Sequence, residues 1–331
     1  MSSLSSTLSS IQQNLIRYGF PISLVLGNLG NIFSITIFCH KRHRQNPCSL
    51  YLMSAAIFSL IGINWGIGSN MYSLYYPPDP FTKSLFLCRL RGYLLQSSSL
   101  IYKIMILFAS IDRFALSSSN VKIRSFSNKQ LSIKIIIGII LFGMLISIHL
   151  AIYETIENNR CFFFGTYGFF FSIYQICIFG FILPISQIGF SFLIIKNLKT
   201  IRMRVQPGLI VENEPQNVLS KRDMTLIKLV LFEIIIGIML TTLYPIQSLY
   251  SILTNDILNK SQDRIAIESF LNFIGLIVLF YLNYCITFYL YIFISKPFRQ
   301  EVKQFLFKII KKEQTTSIAM TIVQQRRLNH N

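Results

Sequence analysis

Few side chains in this sequence are of a kind that could do chemistry, and their spacing narrows what that chemistry is. The four histidines are His40, His43, His149 and His330, and none has a catalytic partner at helical spacing. General acid–base work needs such a partner, so no enzyme is expected. The six cysteines, Cys39, Cys48, Cys88, Cys161, Cys177 and Cys285, form no CxxC and no His/Cys cluster. That predicts no metal site and no cofactor. Asp112 and Arg113 are adjacent, so the carboxylate can neutralise the guanidinium at a membrane face, where an unpaired charge is costly. Locally this is no more than an ion pair at a helix end. Lys103 is the least expected residue, lying 15 residues after Cys88 and 10 before Arg113 inside an apolar stretch.

The elements that must hold these residues are membrane helices. Hydrophobic residues make up 52% of the 331 positions and charged ones only 13%, about half the soluble norm of roughly 25%. A bilayer can hide that much apolar surface, and the 29 Phe and 16 Tyr suit lipid-facing and interfacial positions. Seven runs reach the length of about 20 residues that a spanning helix needs: 18–39, 50–73, 88–115, 132–153, 168–195, 226–253 and 268–293. They are long and lack two-residue alternation, so helices fit better than strands. The predicted fold is an all-α membrane protein, a seven-transmembrane helix bundle over 18–296. Residues 1–17 are read as a short extracellular N-terminus; Met1 to Gln13 is Ser-rich without a basic n-region, so insertion falls to the first helix. Residues 297–312 are read as an amphipathic interfacial helix, with Phe298, Val302, Phe305, Leu306, Ile309 and Ile310 recurring at helical spacing and Arg299, Lys303, Lys308 and Lys311 flanking them. That makes membrane lipid a partner. Residues 313–331 are polar and read as a disordered cytoplasmic tail.

The formal charge of +18 does not point to nucleic acid, because the basic residues sit in short clusters between apolar runs. His40 to Arg44 follows the first helix; Lys122, Arg124 and Lys129 follow the third; Lys196, Lys199, Arg202, Arg204, Lys221 and Arg222 surround the linker after the fifth. The opposite loops hold fewer cations and the acids Asp79, Glu154, Glu157, Asp256 and Asp263. The positive-inside rule then puts the N-terminus outside, in the plasma membrane. The sequon at Asn259 falls in an outer loop under that topology, a modest signal of glycosylation.

On this frame, from about residue 24 to 310, the sequence resembles the rhodopsin-like G-protein-coupled receptors. Asp112-Arg113-Phe114 is similar to the family's Asp-Arg-Tyr motif, and Cys88 precedes Asp112 by the family's usual 24 residues. At about 1.5 Å per residue that interval is roughly 36 Å, enough to cross the bilayer. Gly30-Asn31, the turn from Asn46 to Tyr51, Pro184, Pro245 and the Tyr291-to-Phe298 interval match in order and spacing. The resemblance implies a Cys88–Cys161 disulfide, helix-packing and switch roles for Asn31, Pro184 and Pro245, and coupling to a heterotrimeric G protein through Asp112, Arg113 and Tyr291. An extracellular ligand is its other implied partner.

Departures are equally specific. Ser59 stands where the family usually has a helix-two Asp, so little sodium dependence is expected. Leu243 replaces the Trp of Cys-Trp-x-Pro, and Thr287 and Phe288 replace the Asn-Pro of Asn-Pro-x-x-Tyr. The only Trp is Trp65, in helix two rather than helix four. Thr225 stands where some members have a Glu that locks the helix-three Arg, which predicts raised basal activity. Leu95 replaces the Asp of amine receptors, and Tyr281 the retinal Lys of opsins. A peptide ligand is expected instead, as in invertebrate FMRFamide-type receptors, with Gln96 and Tyr281 in the pocket wall. Acids on the outer loops suit a basic peptide, though each also fits a solvated face. An orphan chemosensory or non-coupling receptor is the alternative; a transporter would show internal repeats and broken paired helices, which are absent from the sequence.

Lys103 belongs to this frame as well. At about 1.5 Å per residue it lies roughly 22 Å from Cys88 and 15 Å from Arg113, and its side chain reaches only about 6 Å. It must face the bundle. Glu233, Ser59 and Thr287 are its candidate partners, in an expected polar network that links helices two, three and seven and partly replaces the missing Asp.

Overall fold

The structure is a computed structural model that describes residues 3–41, 43–157, 160–163, 165–204, 221–254, 260–296, 298–305 and 307. Asn259, most of the 306–312 stretch and the tail from 313 lie outside the described residues. Among the described residues, seven helices are long and apolar enough to cross a membrane. In chain order they are helix one, Leu4–Cys39; helix two, Pro47–Tyr75; helix three, Leu85–Ser117; helix four, Lys129–Tyr153; helix five, Gly165–Thr200; helix six, Asp223–Gln247; and helix seven, Gln262–Ile294. Polar residues start several of them by accepting a backbone N–H: Asn46 from Ser49, Ser84 from Leu87, Asn128 from Gln130 and Ser261 from Arg264. Helix three is the most enclosed and packs against helices two, four, five and six. Helices four and five turn Ile137, Leu141, Phe142, Phe181 and Ile185 outward, as lipid-facing walls do.

Helix one begins well before the expected residue 18. A helix runs from Ser3 to Asn14 and continues through a π-helical stretch, Leu15–Gly19, into Phe20–Cys39. Serines dilute the hydropathy of that segment, but Leu4, Leu8, Ile11 and Leu15 still recur at helical spacing. It packs against Gln262–Asn272 at the start of helix seven. Helix one spans 36 residues, about 54 Å, well beyond a hydrocarbon core of roughly 30 Å.

Two prolines mark breaks. In helix five a π-helical stretch, Ile176–Ile182, ends beside Pro184, whose ring displaces the carbonyl four residues back and donates nothing to it. The helix-six segment is not continuous: Lys221–Thr241 stops and Leu243–Leu253 resumes, with the break at Thr242 just before Pro245. One turn earlier, the hydroxyl of Thr241 donates to Gly237 O at 2.7 Å. Pro245 also packs against the space at Gly180, next to the helix-five π stretch.

After helix seven, Ser295 caps a helical run over 298–305 by accepting from Phe298 N at 3.1 Å. Phe298 and Val302 are buried, and the Phe298 ring meets Phe38, Phe288 and Tyr291 at 6.0, 6.0 and 5.6 Å. Arg299 donates to the carbonyls of Ile292 and Phe293, closing the C-terminal end of helix seven. Between helices four and five, β1 (Thr155–Glu157) and β2 (Arg160–Phe162) form an antiparallel hairpin with Ile156 opposite Cys161.

Candidate functional site

Arg113 sits at the end of helix three with no exposed surface. Its Nε donates to Asp112 Oδ2 at 3.0 Å, and Nη2 donates to the same oxygen. Nη1 donates to Asp223 Oδ1 at 3.0 Å, and Nη2 to Asn46 Oδ1 at 3.0 Å. Asn46 in turn donates to Asp223 at 3.1 Å, and Ser127 Oγ to Asp112 Oδ1 at 2.7 Å. One guanidinium therefore ties helix three to helix six and to the start of helix two. The planar fork of arginine suits this, because each of its three nitrogens finds an acceptor. The carboxylate that meets Arg113 from helix six is that of Asp223, two residues before Thr225, a partner that the family position does not single out. The premise for raised basal activity is thereby overturned. An acid in the first turn of helix six was the available signal.

A second polar cluster lies deeper. Glu233 of helix six is buried; Tyr102 Oη donates to its Oε1 at 3.0 Å and Tyr291 Oη donates to its Oε2. Tyr102 Oη is also 3.5 Å from Thr287 Oγ1. Beside the cluster is a cavity with room for about one water molecule, lined in part by Asn31, Ser34, Glu233 and Thr287. Glu233 thus joins helix six to helices three and seven, as Asp223 joins it to helix three.

Lys103 faces the bundle and is buried, but not in the expected network. Its ammonium donates to Thr241 Oγ1 at 3.4 Å on helix six and lies 6.0 Å from the Tyr102 ring centre. Glu233 is held by tyrosines rather than by Lys103. Ser59 donates to the Tyr284 carbonyl at 3.2 Å, and Thr287 Oγ1 lies beside Tyr102. The Lys103 side of the bundle therefore links helices three and six, and the link to helix two expected from Ser59 is corrected. Helix two joins a separate knot: Asn31 Nδ2 donates to Gly27 O at 2.8 Å and to Tyr284 O at 3.1 Å. Two side chains from helices one and two thus meet one carbonyl of helix seven.

At the other end of helix three, Cys88 and Cys161 form a disulfide with S–S 2.10 Å and Cα–Cα 5.7 Å. Cys39, Cys48, Cys177 and Cys285 are free thiols. Glu154 lies close to both bridged sulfurs, but a disulfide leaves no thiolate to ligate, so this grouping is not a metal site.

With seven helices in this order, a cation clamp at one end of helix three and a disulfide at the other, the fold and the sequence agree with a family comparison. Residues 30–286 match the family described as 7 transmembrane receptor (rhodopsin family). The chain belongs to the rhodopsin family of seven-transmembrane receptors. No curated protein is a significant match to it.

In this receptor the two residues expected in a pocket wall point in different directions. Gln96 exchanges hydrogen bonds with Gln175 of helix five, the shorter 3.0 Å from Gln175 Nε2 to Gln96 Oε1, and donates to Tyr174 Oη at 3.4 Å. Tyr281 lies across Gly66 of helix two, where an added Cβ would come within 2.2 Å of its ring. Glu154, counted among the outer-loop acids, is not on a solvated face; only 6% of it is exposed.

Proposed function

We propose that this receptor lies in the plasma membrane with its N-terminus outside, binds an extracellular peptide, and activates a heterotrimeric G protein through Asp112, Arg113 and Tyr291. The observation that carries the reading is the helix-six tether. Two acids of one helix, Asp223 and Glu233, engage Arg113, Tyr102 and Tyr291 of its neighbours. A ligand that favours a state with helix six displaced must break these bonds, and breaking them releases Arg113 and Tyr291 together. Only a difference in ligand affinity between the two states can drive that shift. The basic loops at the Arg113 end suit the cytoplasmic side, where the G protein is found.

The peptide site is at the disulfide end, roofed by the hairpin, with the Gln96–Gln175 pair and Tyr281 at its walls. Residues 298–305 lie in the interface against lipid, with Phe298 and Val302 turned to the bundle. A peptide ligand fits the lack of an acid at Leu95 and of a lysine at Tyr281, and the FMRFamide-type branch is the subfamily proposed. The test is nucleotide exchange on G proteins by the purified receptor in nanodiscs, screened against amidated neuropeptides. At least one peptide should accelerate exchange, and Arg113→Ala should abolish the response while the receptor still reaches the cell surface. Full exchange by the Arg113→Ala receptor would refute the coupling role.

A further inference from the structure

Glu154 closes the end of helix four and begins the hairpin that covers helix three. The proposed coupling does not use it. Its carboxylate is buried and lacks a donor on either oxygen among the described residues. Oε2 is enclosed with no hydrogen-bond partner. Oε1 has Cys161 Sγ at 3.5 Å, but that sulfur is in the disulfide and carries no proton. The seat is shaped for this side chain: a Cβ at Gly92 would come within 1.9 Å of Oε2, so only glycine lets the carboxyl lie on the helix-three backbone. Arg89 spends its Nε on the Glu154 carbonyl at 3.0 Å, not on the carboxylate. Arg91 lies over the Phe81 ring at 5.2 Å.

We propose that Glu154 is a proton-binding site of the hairpin lid: the neutral carboxyl seats the lid on helix three, and the ionised carboxylate unseats it. A buried carboxylate without donors is a costly species, and protonation removes the cost. The groups that face it are Arg89 and Arg91 from helix three and Tyr167 from helix five. The arginines favour the charged form, yet burial outweighs them and pushes the carboxyl up to about 7. With the seated value above the ordinary one of 4.5, seating is fully favoured below about 4.5. It is lost progressively as pH rises to about 7. The disulfide keeps the unseated lid tethered, so release is local and reversible. The ligand of this site is the proton itself, and the inference rests on the proposed orientation only for the source of those protons.

The test is hydrogen exchange of the hairpin amides, 155–163, in full-length receptor in nanodiscs without peptide or G protein. Wild type is compared with Glu154→Gln at each pH, so that intrinsic exchange rates cancel. The ratio of wild-type to variant exchange should rise roughly tenfold or more from pH 5 to pH 8, since each pKa unit is a tenfold change in the seating equilibrium. A ratio that stays constant overturns the proposal. If Glu154→Gln does not fold, the amides of 121–125 in wild type, beyond the opposite end of helix three, serve as the reference, and the same rise is required. The assay needs neither signalling nor a known peptide, so its failure is separate from failure of the coupling assay.

Discussion

Helix three carries two buried cations, and they are held in opposite ways. Arg113 meets two carboxylates and an amide oxygen, with bonds of 3.0 Å to Asp223 and Asn46. Lys103, three helical turns away, has one hydrogen bond of 3.4 Å to a threonine and an aromatic ring at 6.0 Å. The guanidinium organises three segments, whereas the ammonium organises almost nothing. Between them sits Glu233, the acid nearest in depth to Lys103, and its two oxygens are taken by Tyr102 and Tyr291. Charge at the end of helix three is used to fasten helix six; charge in its middle is tolerated while tyrosines do the fastening. A carboxylate held by neutral donors avoids placing a second strict charge requirement in the bilayer.

The comparison can be broken first at Glu233. Tyr291→Phe removes a donor to a buried carboxylate, and hydrogen bonds to charged groups contribute about 1.5–3 kcal/mol. The variant should lose about 2 kcal/mol in reversible unfolding by dodecyl sulfate, and Tyr102→Phe a similar amount. In the double variant the losses should not add, because both hydroxyls serve one acid. Simple additivity would mean that the two bonds are independent and that Glu233 is not a shared tether.

A smaller effect is expected at the Arg113 end. Asp223→Asn leaves Asp112 in place but removes the ionic tie across helices three and six. Ligand-free nucleotide exchange should rise about tenfold, the equivalent of about 1.4 kcal/mol between two states. An Asp223→Asn receptor as quiet as wild type would show that Asp112 alone restrains Arg113.

Much of this was readable from the chain, and what was not has physical causes. The spans follow from apolar length, and the placement of Cys88 and Arg113 at opposite ends of one helix follows from a 25-residue interval. The first helical turns of helix one escape a hydropathy reading because six serines precede residue 11 and depress hydropathy without breaking the Leu4–Leu8–Ile11–Leu15 stripe. Partners on other helices were the main loss. Glu233 is 131 residues from Tyr102 and 58 from Tyr291, and spacing along one helix says nothing of its rotation against another. Asp223 is not at the family position that Thr225 occupies, yet from two residues earlier in the same helix its side chain reaches the same guanidinium. By sequence Glu154 is a loop acid like its neighbours; only the fold of the hairpin over Gly92 reveals its burial.

The least expected effect is also the sharpest contrast between the two cations. Lys103→Met keeps the length of the side chain and removes the ammonium. An unpaired cation at the middle of a membrane helix costs about 3 kcal/mol on the insertion scale, and attraction to Glu233 returns part of that. Thr241 loses little, since its hydroxyl already donates to Gly237 O at 2.7 Å. The methionine variant should therefore be more stable than wild type by about 1 kcal/mol, since an apolar replacement escapes the desolvation cost. The same substitution at Arg113 strands two carboxylates and should cost about 3–5 kcal/mol. Both are measured by dodecyl sulfate unfolding on one receptor background. A clear loss of stability in Lys103→Met would mean that the field of Glu233 outweighs desolvation, and that the two cations are held alike. Combining Lys103→Met with Glu233→Gln would then restore part of the loss, because neither charge would be left without the other.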